Sequence, residues 1–434
     1  MKAAFATLGC RVNQYETEAM IEKFKRDGYE IVDFDKFADV YVINTCTVTK
    51  MGDKKSRQMI GRARKENGEA IIAVVGCYSQ IKPEEVSLIE GVDVVLGTRN
   101  KGDAVYWVNR AREEREKIVE VSDVLKNTEF EELNVEEYRG RTRAFVKVQD
   151  GCNRFCSYCL IPYARGAVCS KDPEKALEEV RKLAEHGFRE VVLTGIHIAS
   201  YGADLQGGWN LLRLLQEIDR IDGIERVRIG SIDPQFFTDE VIEETAKLKK
   251  LCAHFHLSLQ SGCSETLKRM NRKYSTGDYK RIVDLLREKI EDVSITTDII
   301  VGFPGETDEE FEETYEFLRR IELSKMHIFK FSPREGTKAA VMKNQVDGNK
   351  KDERSKRLIA LDLELEKKFR MKYLGRELDV LYEQKLEKDG NSYEGYTDNY
   401  IRVVAESDSC ISGKIIKTRT FEDQDGFLKG ILLK

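Results

Sequence analysis

The stretch DGCNRFCSYCLIP, residues 150–162, spaces three cysteines as C-x3-C-x2-C: Cys152, Cys156 and Cys159. Thiolates this close can hold one metal centre on a single loop. A closed structural zinc site uses four ligands, commonly in C-x2-C pairs, and ferredoxin-type runs carry a fourth cysteine nearby. Here the next cysteine, Cys169, lies ten residues on, past Pro162 and Gly166. Either a fourth ligand arrives from a distant segment, or one coordination position is open for chemistry.

A second set is dispersed. Cys10 follows the strand pattern of TLGC, Cys46 that of INTC and Cys77 that of VVGC. Ligands of an open parallel sheet gather beyond the carboxyl ends of its strands, so these three can meet there. The plainer reading of each is a small buried hydrophobe. Three at equivalent strand ends favour a shared site. All-thiolate donors select zinc or iron–sulfur clusters, and three of them leave one vertex free in either case. Cys169, Cys252, Cys263 and Cys410 join neither set by spacing.

These cysteines need scaffolds. A chain of 434 residues suggests about two to four domains. With 34% charged residues but a net charge of only −5, any nucleic-acid surface must be local. Without a transmembrane-length apolar run or a signal peptide, the expectation is a cytoplasmic globular protein with reduced thiols and no membrane partner. Residues 1–98 alternate β-rich runs (2–9, 29–34, 40–44, 70–76, 92–97) with amphipathic stretches, closed by a helix over 100–116. That pattern predicts an open parallel α/β sheet. Residues 126–143 swing from acidic to basic without apolar periodicity and read as a linker. Six further strands from 143 to 331, alternating with five helical stretches, predict a partial (β/α)6 barrel, whose chemistry belongs on loops after the strands. The first cysteine loop follows the first of them. A charged helix over 349–375 precedes short strands with turn signals, read as a small antiparallel β-barrel. The fold class is multidomain α/β, with expected domains 1–125, 138–370 and 371–434.

At this point the motifs resemble a known family. C-x3-C-x2-C with Tyr158 before its last cysteine looks like the radical S-adenosylmethionine signature. TLGCRVNQYE, INTCTV and GCYSQ resemble the amino-terminal domain of methylthiotransferases. VQDGCNRFCSYCLIPYARG, SIDP, LSLQSGC and DIIVGFPGET resemble their radical domain, and EGYTDNYIRVV their RNA-binding TRAM barrel. TLGCRVNQYE, INTCTVT and CLIPYARG look most like the threonylcarbamoyladenosine branch. Related branches modify isopentenyladenosine in tRNA or an aspartate of a ribosomal protein. One departure stands out: Cys169 and Lys171 occupy positions where the family commonly has arginine.

The resemblance implies two 4Fe–4S clusters and S-adenosylmethionine as both methyl donor and radical source. Cys152, Cys156 and Cys159 would hold the cluster whose free iron takes the cosubstrate; Cys10, Cys46 and Cys77 would hold an auxiliary cluster that delivers sulfur. The substrate would be the tRNA anticodon loop, modified at C2 of the adenine at position 37. The electron donor would be a flavodoxin or ferredoxin, with the sulfur source unknown. That carbon bears no acidic hydrogen, so side-chain acid–base catalysis has little purchase and a cofactor must carry the chemistry. Cosubstrate contacts are expected at barrel strand ends: Thr194, Gly195 and His197 for the methionine group, Ser231 and Asp233 for a ribose, Ser258 and Gln260 after the fourth strand, and Gly302 beside an adenine edge.

His254 and His256 alternate on one strand and share a face; with both thiolate sets assigned, they and His197 read as structural or substrate-facing. Basic stretches 50–65 (seven Lys or Arg against one Asp) and 139–166 (six against one) border the cysteines and suit a phosphate backbone, or else form solvated faces. From 372 onward ten basic residues meet twelve acidic ones, so an RNA role there rests on stacking by Tyr393, Tyr396 and Tyr400. A different class, a zinc-bearing RNA-binding protein without catalysis, remains the non-enzyme alternative.

Overall fold

Aliphatic, β-branched runs such as IIAVV (71–75) and VVL (94–96) form the central parallel strands. The computed structural model describes residues 1–126, 128–135, 142–386 and 390–433. The first sheet contains β1 (Lys2–Thr7), β2 (Glu30–Val32), β3 (Val40–Thr45), β4 (Ile71–Gly76), β5 (Val94–Leu96) and β6 (Ile118–Glu120). All pairs are parallel, in the order β2-β1-β3-β4-β5-β6. β3 is buried at every position, as a central strand covered on both faces must be. β6 extends the sheet past the helix expected to close it; three residues in a charged context carry too little periodicity to announce it.

Residues 128–135 are not a free linker. Leu133 and Val135 are buried in the same hydrophobic cluster as Tyr15, Ala19 and the barrel core. The Tyr15 hydroxyl donates to the Leu133 carbonyl, and the Gly102 N–H donates to Glu131 at 2.7 Å. Two buried apolar residues in an otherwise polar segment are enough to seat it, and too few to show a period. Asn127 and residues 136–141, which belong to the same expected linker, lie outside the described residues.

The second unit begins with β7 (Arg143–Lys147). A short hairpin of β8 (Gln149–Asp150) and β9 (Cys169–Ser170) brackets the cysteine loop. β10 (Glu190–Thr194), β11 (Arg226–Ile229), β12 (His254–His256), β13 (Ser294–Val301) and β14 (Lys325–Lys330) complete a parallel array. Single bridges Val227–Leu251 and Ile232–Leu257 join its two three-stranded halves, giving the partial barrel. Intervening helices start on side-chain caps: Ser275 and Thr307 each open a capping box. The helix Gly348–Met371 packs behind β14, where Asp362 accepts the Met326 N–H at 2.6 Å.

The last unit is a closed barrel of β15 (Glu377–Lys385), β16 (Ser392–Thr397), β17 (Arg402–Glu406), β18 (Ile415–Gln424) and β19 (Phe427–Leu432). Its neighbours are antiparallel except β17 and β19, which run parallel. Arg228 in β11 donates to the carbonyls of Thr397 and Asp398, and Arg226 to those of Asp379 and Tyr396, fastening this barrel to the one before it.

Candidate active site

Each cysteine of the dispersed set follows a parallel strand, and glycine lets two of them approach. Gly9 has φ +103°, and a Cβ there would sit 2.7 Å from the Cys46 Cβ and 3.0 Å from its Sγ. Gly76, at φ +101°, turns the chain into Cys77. The Cys46 thiol is pushed up to about 12 by burial first and then by the nearby Cys77 and Cys10. Cys10 opens into a cavity, yet stands deep enough among protein atoms that desolvation raises its thiol too.

The second set behaves alike. Burial raises Cys152 and pushes Cys159 up to about 12, and each feels Cys156. All ten cysteines are free thiols. Two groups of three thiols whose members interact with one another, with burial raising Cys10, Cys46, Cys152 and Cys159, fit cationic iron–sulfur centres, each with a position left for another ligand.

Arginines that the sequence reading did not single out stand against both groups. Arg165, six residues after Cys159, is fully buried; its Nε lies 3.4 Å from the Cys77 Sγ, and its fork donates to Asn13 and Glu16 at 2.5 Å and to Asp150 at 3.2 Å. Lys147 donates to Glu16 at 2.8 Å and pairs with Asp150 at 2.7 Å, while Lys101 pairs with Glu16. Burial alone would raise the Glu16 carboxyl, but attraction from Arg165, Lys101 and Lys147 outweighs it and holds the group well below the usual carboxylate range. Asp150 is equally buried and is depressed in the same way, by Lys147 and Arg165 above all. Arg272 donates to the Cys156 Sγ at 3.4 Å and to the Ser258 carbonyl at 3.1 Å, and pairs with Asp233 at 3.5 Å.

The strand-end residues gather at one face. Ser231 and Ser258 hydroxyls lie 3.0 Å apart. His197 is 3.6 Å from Asp233, and Arg154 donates to its Nε2 at 3.3 Å. Gln260 adopts φ +74° and Gly302 φ +71°. The Gly302 N–H, however, is taken by Glu306 at 2.7 Å, and a Cβ on its other side would meet Lys351. Tyr158 lies edge-on to Phe303, 6.3 Å between centroids. Thr194, Gly195 and Ser231 line a cavity of about 990 Å³ together with Cys10, Arg11 and Tyr400. A chain of contacts therefore runs from Ser231, which lines the cavity with Cys10, through Ser258 and Arg272 to Cys156.

Three expectations change. Lys147 and Arg165, counted in the basic stretch 139–166, are buried in ion pairs, and Arg143 pairs with Glu190 and Glu383; the lone sequence Asp is joined by carboxylates from distant segments. Tyr393 is buried in the core of the last barrel, and Tyr400 stacks on His254 at 4.8 Å. Cys169 accepts from Arg99 at 2.8 Å and Lys171 pairs with Glu179, so both departures from the family pattern are absorbed by packing.

Residues 146–318 match the Radical SAM superfamily model, and residues 2–97 match Uncharacterized protein family UPF0004. Threonylcarbamoyladenosine tRNA methylthiotransferase MtaB of Bacillus subtilis is 46% identical over 96% of this chain and 93% of its own length. The chain belongs to the radical S-adenosylmethionine methylthiotransferase family. The protein of the same name from Aquifex aeolicus is 42% identical over 96% of the chain and 99% of its own length. The family also includes a Clostridium tetani relative, tRNA-2-methylthio-N(6)-dimethylallyladenosine synthase, 36% identical over 96% of this chain and 94% of its own. Among solved structures, the radical S-adenosylmethionine methyltransferase TsrM of Kitasatospora setae covers 78% of this chain and 77% of its own, with a TM-score of 0.60 at 14% identity, a likeness of fold. No helix among the described residues is long and apolar enough to cross a membrane.

Proposed function

We propose that this methylthiotransferase acts on tRNA, placing a methylthio group on C2 of N6-threonylcarbamoyladenosine at position 37 of the anticodon loop. The observation that carries the reading is that both triads converge on one barrel face: Cys10 lines the cavity beside Ser231, and contacts from Ser231 through Ser258 and Arg272 reach Cys156. A substrate adenine there would lie between the two thiolate groups. The choice of base rests on the relatives: those at 46% and 42% identity carry the threonylcarbamoyladenosine name, and the dimethylallyladenosine relative stands at 36%.

Cys152, Cys156 and Cys159 would hold one 4Fe–4S cluster, and Cys10, Cys46 and Cys77 a second. When bound with S-adenosylmethionine, the first supplies the one-electron chemistry that an unactivated carbon requires. The chain's own residues do the rest. Arg272 fixes Cys156 and Asp233 relative to each other, and Arg165 fixes the Cys77 side against the radical loop. Ser231, Asp233 and His197 offer polar contacts at the strand ends for the cosubstrate. A flavodoxin or ferredoxin would donate electrons, and the setting would be the cytoplasm.

The test is nucleoside mass analysis after anaerobic incubation with S-adenosylmethionine, reductant and tRNA carrying either N6-threonylcarbamoyladenosine or isopentenyladenosine. A methylthio product on the first is expected. Product only on the second, or on neither, overturns the assignment.

A further inference from the structure

Three side chains with metal-binding atoms, belonging to neither thiolate triad, gather on the barrel strands. His256 stands on β12, Asp298 on β13 and His327 on β14. Asp298 and His327 are direct cross-strand partners, while His256 is opposite Thr296, two residues before Asp298 on the same face. Neighbouring strands thus present the three in one patch. Their ligand atoms lie within 4.8 Å of one another, and the two imidazole rings are 5.7 Å apart between centroids.

Two details separate this patch from a chance histidine–carboxylate pair. Ligands about 2.0–2.2 Å from a tetrahedral metal stand about 3.4 Å from each other; His256 Nε2 and Asp298 Oδ2 are 3.3 Å apart. The other ring nitrogen of His256 is engaged as well, with Nδ1 2.9 Å from the Thr296 hydroxyl. An outer partner on the second nitrogen is how ligating histidines are held in orientation and tautomer. His256 and His327 both line the cavity that Cys10 opens onto, so the site has access from it.

We infer that His256, Asp298 and His327 form a binding site for a divalent first-row transition ion of the zinc or ferrous class, with its remaining positions open to the cavity. Two imidazoles and one carboxylate are the donors such ions take, and three protein ligands leave room for water or a substrate oxygen. Closing the ring of ligands requires the His327 imidazole to draw in by side-chain rotation. The site stands independently of the function proposed above, because its readout is metal content.

The experiment uses full-length protein with both thiolate triads loaded under anaerobic conditions. It is equilibrated with zinc chloride, desalted, and assayed for zinc and iron by mass spectrometry. About one zinc per chain is expected in addition to unchanged iron. His256→Ala and His327→Ala should each lose it while keeping their iron. Thr296→Val should retain the site with affinity about ten-fold weaker. Asp298→Asn, nearly isosteric, carries the test if an alanine variant fails to fold, as its iron content would reveal. Zinc absent from the wild type, or retained equally by the three ligand variants, overturns the site.

Discussion

Arg165 Nε lies 3.4 Å from the Cys77 Sγ, although the arginine follows the radical-domain cysteines and the thiol ends a strand of the amino-terminal sheet. The same guanidinium reaches Asn13 and Glu16, which lie one turn or two beyond Cys10. One buried side chain therefore ties the segment after Cys159 to the strand end that carries Cys77 and to the helix after Cys10. Arg165→Ala leaves Glu16 and Asp150 short of a cation inside the protein, a loss of about 3–5 kcal/mol. Chemical unfolding should show it, and iron bound by the Cys10 triad should fall. Arg165→Lys keeps the charge but not the fork, and should recover stability only in part.

The same network fixes a pH response. Glu16 and Asp150 have folded-state values below their ordinary ones. Their contribution is therefore fully present above about pH 5 and is lost as pH falls toward the depressed values. The thermal midpoint should decline steadily below about pH 5. Glu16→Gln should be less stable at neutral pH and show a shallower acid decline; an unchanged slope would contradict the pairing.

Gly9 offers a test of packing at the auxiliary triad. Alanine there meets Cys46 at 2.7 Å with φ at +103°. Gly9→Ala should expel Cys46 from the triad and cost the iron it helps hold. Gly28→Ala, at φ +86° with open space around it, should cost only about 1 kcal/mol and leave iron unchanged.

The tail tyrosines should separate. Tyr393→Ala removes a core ring and should cost about 3–5 kcal/mol of the last barrel's stability. Tyr400 instead stacks against His254 and Tyr396, with the Arg228 guanidinium 4.7 Å from its ring centre. Tyr400→Ala should leave that barrel folded and cost about 1 kcal/mol of its attachment to the preceding barrel, measured by chemical unfolding.

The two triads should divide their labour. Cys156→Ala should abolish cleavage of S-adenosylmethionine to deoxyadenosine, read by chromatography. Cys46→Ala should retain that cleavage and yield no methylthio nucleoside.

Much of this was legible in the sequence because it is local. The runs before Cys10, Cys46 and Cys77 are aliphatic and β-branched, and the strands they predict are β1, β3 and β4. The barrel strands show the same signal, so the gathering of Thr194, Ser231 and Ser258 at one face follows from topology. What could not be read is charge pairing at long range. Arg165 and Glu16 are 149 positions apart, and on a sequence each looks like a solvated charge. Arg272 reaches Cys156 from 116 positions away, with nothing in its immediate context to mark it. Residues 128–135 were opaque for another reason: two apolar anchors define no period.

The most direct measurement is iron and acid-labile sulfide per chain in anaerobically purified protein, beside a Cys152/Cys156/Cys159 triple-alanine variant. Two independent cuboidal clusters predict about eight iron falling to about four. About four iron in the wild type, all lost in the variant, would contradict a second cluster at Cys10, Cys46 and Cys77 and remove the support for sulfur insertion.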